Sequence, residues 1–142
     1  TARAKSVVTE SKVVAAHFDS VDCGSWGVLV GCMHWGTDFI GSAGDPVFAP
    51  FDLTIIALGE YGPGPTAGQY VQGTLPDGAV YYSGHLTGRV ALQIGETIPA
   101  GTVIGYMNSL AHTHVQLAPP GNTGPCAQDG SCLDFEAYYA SH

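Results

Sequence analysis

From Gly24 to Leu117 the chain reads as short apolar stretches, each closed off by Gly, Pro, Asp or Ser. Stretches of about four to eight residues suit strands and are too short for most helices. The 20 glycines and 9 prolines among 142 residues supply enough turn positions to reverse such a chain many times. Expected strands are Trp26–Val30, Cys32–Ile40, Val47–Ala49, Leu53–Leu58, Tyr70–Leu75, Ala79–His85, Ala91–Ile94, Val103–Met107 and His112–Leu117. Asp77-Gly78 predicts a tight hairpin turn between two alternating runs. Residues 61–68 (YGPGPTAG) read as a loop on a sheet edge, residues 119–130 as a Pro/Gly-rich excursion, and Leu133–Ser141 as one or two helical turns. The expected fold is mainly β, a compact antiparallel sheet or sandwich-like core with a loop-lined groove and little helix. Residues 1–22 are expected to form an arm or short helix, and residues 23–142 a single domain.

Charge narrows the function. The net charge is -8, and three of the four cations (Arg3, Lys5, Lys12) lie in the first twelve residues. No basic patch can be assembled, which argues against a nucleic-acid partner. No apolar run is long enough to span a bilayer, and the start lacks the apolar stretch of a signal peptide. A chain that begins at Thr1 fits a mature product or a domain cut from a longer protein. The four cysteines, Cys23, Cys32, Cys126 and Cys132, point to disulfides and an oxidising compartment. Of three pairings, Cys23–Cys32 and Cys126–Cys132 are favoured, because each is local and flanked by turn residues. Their spacing is not the paired CxxC of a structural zinc site.

The histidines carry the chemistry. In an extended segment, residues 34, 36 and 38 of His34-Trp35-Gly36-Thr37-Asp38 share a face. Gly36 leaves room there, so an imidazole and a carboxylate can converge on one cation. In His112-Thr113-His114-Val115-Gln116, two imidazoles and an amide likewise share a face. His85 ends a strand-forming run. Zinc suits imidazole and carboxylate donors, and a hydrolytic site keeps a position open for water. Spacing alone leaves open which imidazole of the pair is the third donor. His17 and His142 have no partners in sequence and read as surface or packing residues, and Trp26 and Trp35 as core or cleft rim.

Five segments in order resemble the lysostaphin/LytM-type zinc metallopeptidases of bacterial peptidoglycan. They are His34-Trp35-Gly36-Thr37-Asp38, Gly44-Asp45-Pro46-Val47-Phe48-Ala49, Tyr82-Ser83-Gly84-His85-Leu86, Gly101-Thr102-Val103-Ile104-Gly105 and His112-Thr113-His114-Val115. The resemblance implies one Zn2+ held by His34, Asp38 and His114, with His85 and His112 as catalytic residues beside its water. Gln116 can support a ligand imidazole from behind, and Tyr82 can support the site. The implied activity is zinc-dependent endopeptidase cleavage of peptidoglycan cross-links or stem peptides, as in a phage or bacterial lysin. The implied partner is the peptidoglycan peptide, and the implied location is extracellular, periplasmic or virion-associated. A monomeric domain, free or within a larger protein or virion assembly, fits this reading. Two departures stand out. Residues 106–111 replace a glycine-rich turn, and Thr113 replaces an apolar residue between the histidines. Rival readings are a non-catalytic wall-binding or structural domain of the same fold, a cupin-like metal barrel, and a disulfide-stapled binding module. The cupin reading lacks the acidic residue it needs soon after His114.

Overall fold

The computed structural model describes residues 5–16, 20–21, 33–34, 36–60, 68–122, 126 and 131–142, with only the backbone described at Ala16, Ser20, Val21, Met33 and His34. The expected strand Trp26–Val30, the Cys23–Cys32 pair, His17, Trp26, Trp35 and most of the expected 61–68 loop lie outside these residues.

Eleven strands and one helix are described. The strands are β1 (Val13–Ala16), β2 (Ser20–Val21), β3 (Met33–His34), β4 (Thr37–Ile40), β5 (Pro46–Phe48), β6 (Leu53–Glu60), β7 (Gln69–Thr74), β8 (Val80–Thr87), β9 (Thr97–Ile98), β10 (Val103–Met107) and β11 (His112–Ala118); the helix α1 is Phe135–Ser141. The main sheet runs β1-β4-β11-β8-β7-β6-β9, with β10 bridging β8 to β5 and β2–β3 forming a separate ribbon. Every pairing is antiparallel. The fold is therefore mainly antiparallel β with one short helix.

Alternation along β11 shows how the sheet is sided. Thr113, Val115 and Leu117 are buried, while His112, His114 and Gln116 between them are only half-buried. Neighbouring strands send Phe39, Val71 and Tyr81 to the same inner face as Val115 and Leu117, where they pack with Phe51, Leu53, Ile55 and Phe135 in one core. Helix α1 closes this core. The Asp134 side chain caps it by accepting from Ala137 N, which satisfies an otherwise orphaned donor. Phe135 is buried and meets Phe39 edge-on at 6.1 Å and Tyr81 at 5.7 Å. Burying such a ring contributes about 2–3 kcal/mol. The Tyr138 hydroxyl donates to Asp77 Oδ2 at 2.6 Å, tying the helix to the β7–β8 turn.

That turn forms at Asp77-Gly78 as the sequence predicts. Gly78 has φ +92°, and Asp77 Oδ1 accepts from Ala79 N, a left-handed position followed by an Asx contact. The expected strand Ala91–Ile94 does not form. Its end lies in a turn closed by Glu96 N to Gln93 O, with Gly95 at φ +90°, and Ile94 is exposed. The pairing falls instead at β9, against Leu53 and Thr54. Cys126 and Cys132 are joined in a disulfide. It packs with Val80 and Ala118 in a small second cluster.

Candidate active site

The site grows from the outer face of the sheet. Register pairs His114 with Asp38 and His112 with Ile40 across β11–β4, and His114 with Gly84 and Gln116 with Tyr82 across β11–β8. Directly paired residues share a face, so Asp38, His114, Gln116 and Tyr82 stand together, 76 residues of chain separating Asp38 from His114.

The His114 ring is held at both nitrogens. Nδ1 lies 2.8 Å from Asp38 Oδ1, and Nε2 donates to Gln116 Oε1 at 2.8 Å. An amide oxygen only accepts, so this contact puts a hydrogen on Nε2. The Nδ1 lone pair and the Asp38 carboxylate then face one another. Two electron-pair donors at that separation call for a cation between them: a proton, or a metal ion that takes its place. Imidazole nitrogen and carboxylate oxygen are ordinary zinc donors, so the pair fits zinc.

Gly36 makes room for this ring. A Cβ there would lie 2.5 Å from His114 Cε1, 2.6 Å from Nε2 and 2.6 Å from the Val115 carbonyl oxygen. His34, the other expected donor, sits in β3 opposite Ser20, its side chain outside the described residues. Among the described residues no three His, Cys, Asp or Glu side chains gather for a metal; Asp38 and His114 are two that meet.

A bulge brings in His85. On β8, Tyr81 and Ser83 point to the core, so strict alternation would send His85 inward as well. The β7–β8 register shifts between Gln69↔Leu86 and Val71↔Ser83, so Gly84 and His85 together oppose Tyr70 alone. Such an extra residue reverses the facing of all that follows. Leu86 turns into the core, and the His85 ring meets the His112 ring edge-on with centroids 4.9 Å apart. The bulge holds His85 at φ +59°, a left-handed conformation uncommon outside glycine that His tolerates better than most residues. Such strain clusters at functional sites.

His112 is oriented by its own turn. Its Nδ1 donates to the Leu110 carbonyl at 3.2 Å, which leaves the Nε2 lone pair available. The turn is set by Asn108, whose Oδ1 accepts from Leu110 N and whose carbonyl accepts from Ala111 N. Asn108 was not singled out from sequence; an Asn at a turn start is the signal that marks it. The glycine-poor segment 106–111 thus makes a tight turn through a side chain. Thr113, the second departure, is buried and donates to the Gly84 carbonyl at 2.7 Å, while Ser83 Oγ lies 2.8 Å from its hydroxyl. With its donor hydrogen used, Thr113 accepts from Ser83. This buried pair pins β11 to β8 beside the bulge.

Tyr82 lies opposite Gln116 with its ring stacked on Tyr70 at 5.3 Å. Gln116 also donates from Nε2 to Cys126 Sγ at 3.6 Å. His142, at the chain end, stacks on Tyr138 and joins none of these groups. A cavity of about 430 Å³ lined by Val7, Val8, Val14, Phe39, Phe135 and Tyr139, among others, opens on the other face of β4 and holds none of the site residues.

Residues 32–141 match the model of peptidase family M23. No curated protein sequence matches the chain significantly. Solved structures share its fold. The catalytic domain of the antimicrobial peptidase lysostaphin from Staphylococcus simulans is 22% identical, with a TM-score of 0.69 over 90% of this chain and 92% of that domain. The chain spans 55% of whole lysostaphin. A mutant catalytic domain of the prophage-encoded M23 protein EnpA from Enterococcus faecalis is 20% identical, with a TM-score of 0.65 over 89% of this chain and 90% of that one. A chain of the SpoIIIAH–SpoIIQ complex is 16% identical, with a TM-score of 0.64 over 95% of this chain and 99% of that one. No helix among the described residues is long and apolar enough to cross a membrane. The family match covers every described strand from β3 onward, the paired His114 and Asp38 and the helix that closes the core, and the chain belongs to peptidase family M23.

Proposed function

We propose that this chain is a zinc-dependent endopeptidase that hydrolyses cross-links or stem peptides of bacterial peptidoglycan. The observation that carries the reading is the His114 ring, fixed by Gln116 at one nitrogen and turned towards Asp38 with the other. His34, Asp38 and His114 would hold the ion. Zinc bound there supplies Lewis acidity, which acidifies water and polarises a carbonyl.

The remaining chemistry belongs to side chains of this chain. His112, its Nδ1 hydrogen committed to Leu110 O, presents Nε2 to accept a proton from water and return it to the leaving amine. His85, packed against the His112 ring, donates a hydrogen bond to the oxyanion that forms at the scissile carbon. Gln116 keeps the His114 ring from rotating. Tyr82 and Tyr70 form an aromatic wall beside this row on which a peptide can lie. A disulfide is compatible with work outside the cytoplasm, at a wall, in a periplasm or on a virion.

Some members of the family are non-catalytic, so turnover is the deciding property. Incubation with purified peptidoglycan of known cross-link type is expected to release new amine termini, identified by mass spectrometry, and a zinc chelator is expected to stop their release. Binding to the wall without new termini would assign the chain to a non-catalytic role instead.

A further inference from the structure

Alternation does not aim the His85 ring; the bulge does, at a backbone φ of +59° that few residues other than glycine favour. We propose that Thr113 and Asn108 hold the His85 ring against His112 by fixing the peptide groups on the two sides of His85. The inference rests on the reading of His85 and His112 as the catalytic pair, and it makes Thr113 and Asn108 positioning residues.

The Gly84 carbonyl and the His85 N–H lie in one rigid peptide plane, and the His85 carbonyl lies in the next. With both planes held, the φ and ψ of His85 are held too, and the direction of its ring follows. The first plane is held from inside the sheet, where Thr113 Oγ1 donates to Gly84 O at 2.7 Å. Thr113 is buried and its backbone is paired with Phe39 on β4, so this donor stays in place. Ser83 Oγ lies 2.8 Å from the Thr113 hydroxyl and gives it a hydrogen, which leaves the hydrogen of Thr113 for Gly84.

The second plane is held from β10, where Asn108 N donates to His85 O at 3.1 Å. Asn108 also starts the turn into β11. Its Oδ1 accepts from Leu110 N at 3.0 Å, and the Leu110 carbonyl accepts from His112 Nδ1 at 3.2 Å. Asn108 therefore holds His85 with its backbone and the turn of His112 with its side chain. That sets the two rings relative to each other, their centroids 4.9 Å apart.

Both residues stand where the sequence departs from the family pattern: a Thr between the paired histidines, and a glycine-poor turn over residues 106–111. The two departures meet at one residue, His85. Valine at position 113 would have the shape of threonine but no hydrogen for Gly84 O. His85 would then relax towards the extended region, and its ring would leave His112.

The test measures steady-state kinetics on a peptidoglycan peptide and zinc affinity for the native chain, Thr113→Val, Thr113→Ser and Asn108→Ala. Thr113→Val and Asn108→Ala are also combined with His85→Gly, which removes the ring and tolerates the left-handed backbone. Contact between the His85 and His112 rings is read in each protein from NOEs between their protons. Thr113→Val is expected to lose the ring contact and about 10- to 100-fold in kcat, with KM and zinc affinity native. Thr113→Ser keeps the hydroxyl and loses only the methyl group, and is expected to keep both the contact and kcat. Beside His85→Gly, Thr113→Val is expected to cost nothing further, because Thr113 acts through the His85 ring. The proposal is overturned if Thr113→Val keeps native contact and kcat, or if Thr113→Ser loses as much as Thr113→Val. It is equally overturned if Thr113→Val costs as much with His85→Gly as without it. Asn108 lies in a turn outside the strands, so Asn108→Ala decides the matter even if Thr113→Val does not fold. That variant is expected to lose ring contact and kcat, and to cost activity beside His85→Gly as well, since it also releases the turn of His112. Native contact and kcat in Asn108→Ala would overturn the proposal. If the native chain cleaves no peptide, the endopeptidase reading fails, while the ring contacts of the same variants still decide this inference.

Discussion

Replacing Gly36 with alanine is expected to abolish metal binding and to cut peptidase activity at least about 100-fold. The added Cβ would lie 2.5 Å from His114 Cε1 and 2.6 Å from both Nε2 and the Val115 carbonyl oxygen. The ring can swing away only by giving up Asp38 or Gln116. The carbonyl cannot swing away at all, because Val115 is paired with Thr37 on one side and Ser83 on the other. Overpacking of this kind costs about 1–3 kcal/mol, so urea unfolding should show a moderate loss of stability with the fold retained. A Gly36→Ala chain with native zinc content and activity would mean that the His114 ring does not lie over Gly36 in the folded chain.

The second large effect separates chemistry from binding. His112→Ala is expected to lower kcat by about 10²–10⁴ with zinc affinity unchanged, because His112 faces His85 and Leu110 rather than the Asp38–His114 pair. His85→Asn is the cleaner probe of the other imidazole, since Asn tolerates the left-handed backbone that the bulge imposes at φ +59°. It is expected to lose about 10²–10³ in kcat, the usual cost of an oxyanion donor, again with zinc retained. Zinc content by atomic absorption and steady-state kinetics on a peptidoglycan peptide check both. Loss of zinc in either variant would move that histidine from the catalytic pair to the metal ligands.

Much of this arrangement is legible in the sequence, because alternation is local. That His112, His114 and Gln116 share a face follows from period two, and the structure has them half-buried between buried Thr113, Val115 and Leu117. The gap at Gly36 is equally local, although the sequence does not say what fills it; the His114 ring does. Register is a different matter. Nothing in the segment around Asp38 says that it pairs with His114, because that pairing depends on how β4 and β11 slide against each other. The bulge at Gly84-His85 is harder still. Counting from Tyr81 by twos sends His85 into the core, and only the shifted β7–β8 register turns it towards His112. The family resemblance names His85 beside His112, and the two rings do meet, a contact that alternation alone does not give. The expected strand Ala91–Ile94 fails for the opposite reason. Its apolar residues suit a strand, but the Gln93–Glu96 turn takes its end and leaves Ile94 in solvent. The tight turn at Asn108 replaces a glycine-rich one through side-chain hydrogen bonding, which a count of glycines does not register.

The acidic composition still bears on how the chain meets its substrate. At a net charge of -8 it would gain no electrostatic attraction to a polyanionic wall, so under the proposed function recognition would rest on the histidine-bearing outer face of the sheet or on a further module.

Calorimetric titration of zinc into the metal-free native chain, run beside His114→Ala, tests the central claim most directly. The native chain is expected to take up one ion, and His114→Ala none at concentrations that saturate the native chain. A native chain that takes up no zinc, or a His114→Ala chain that binds it equally well, would contradict the account.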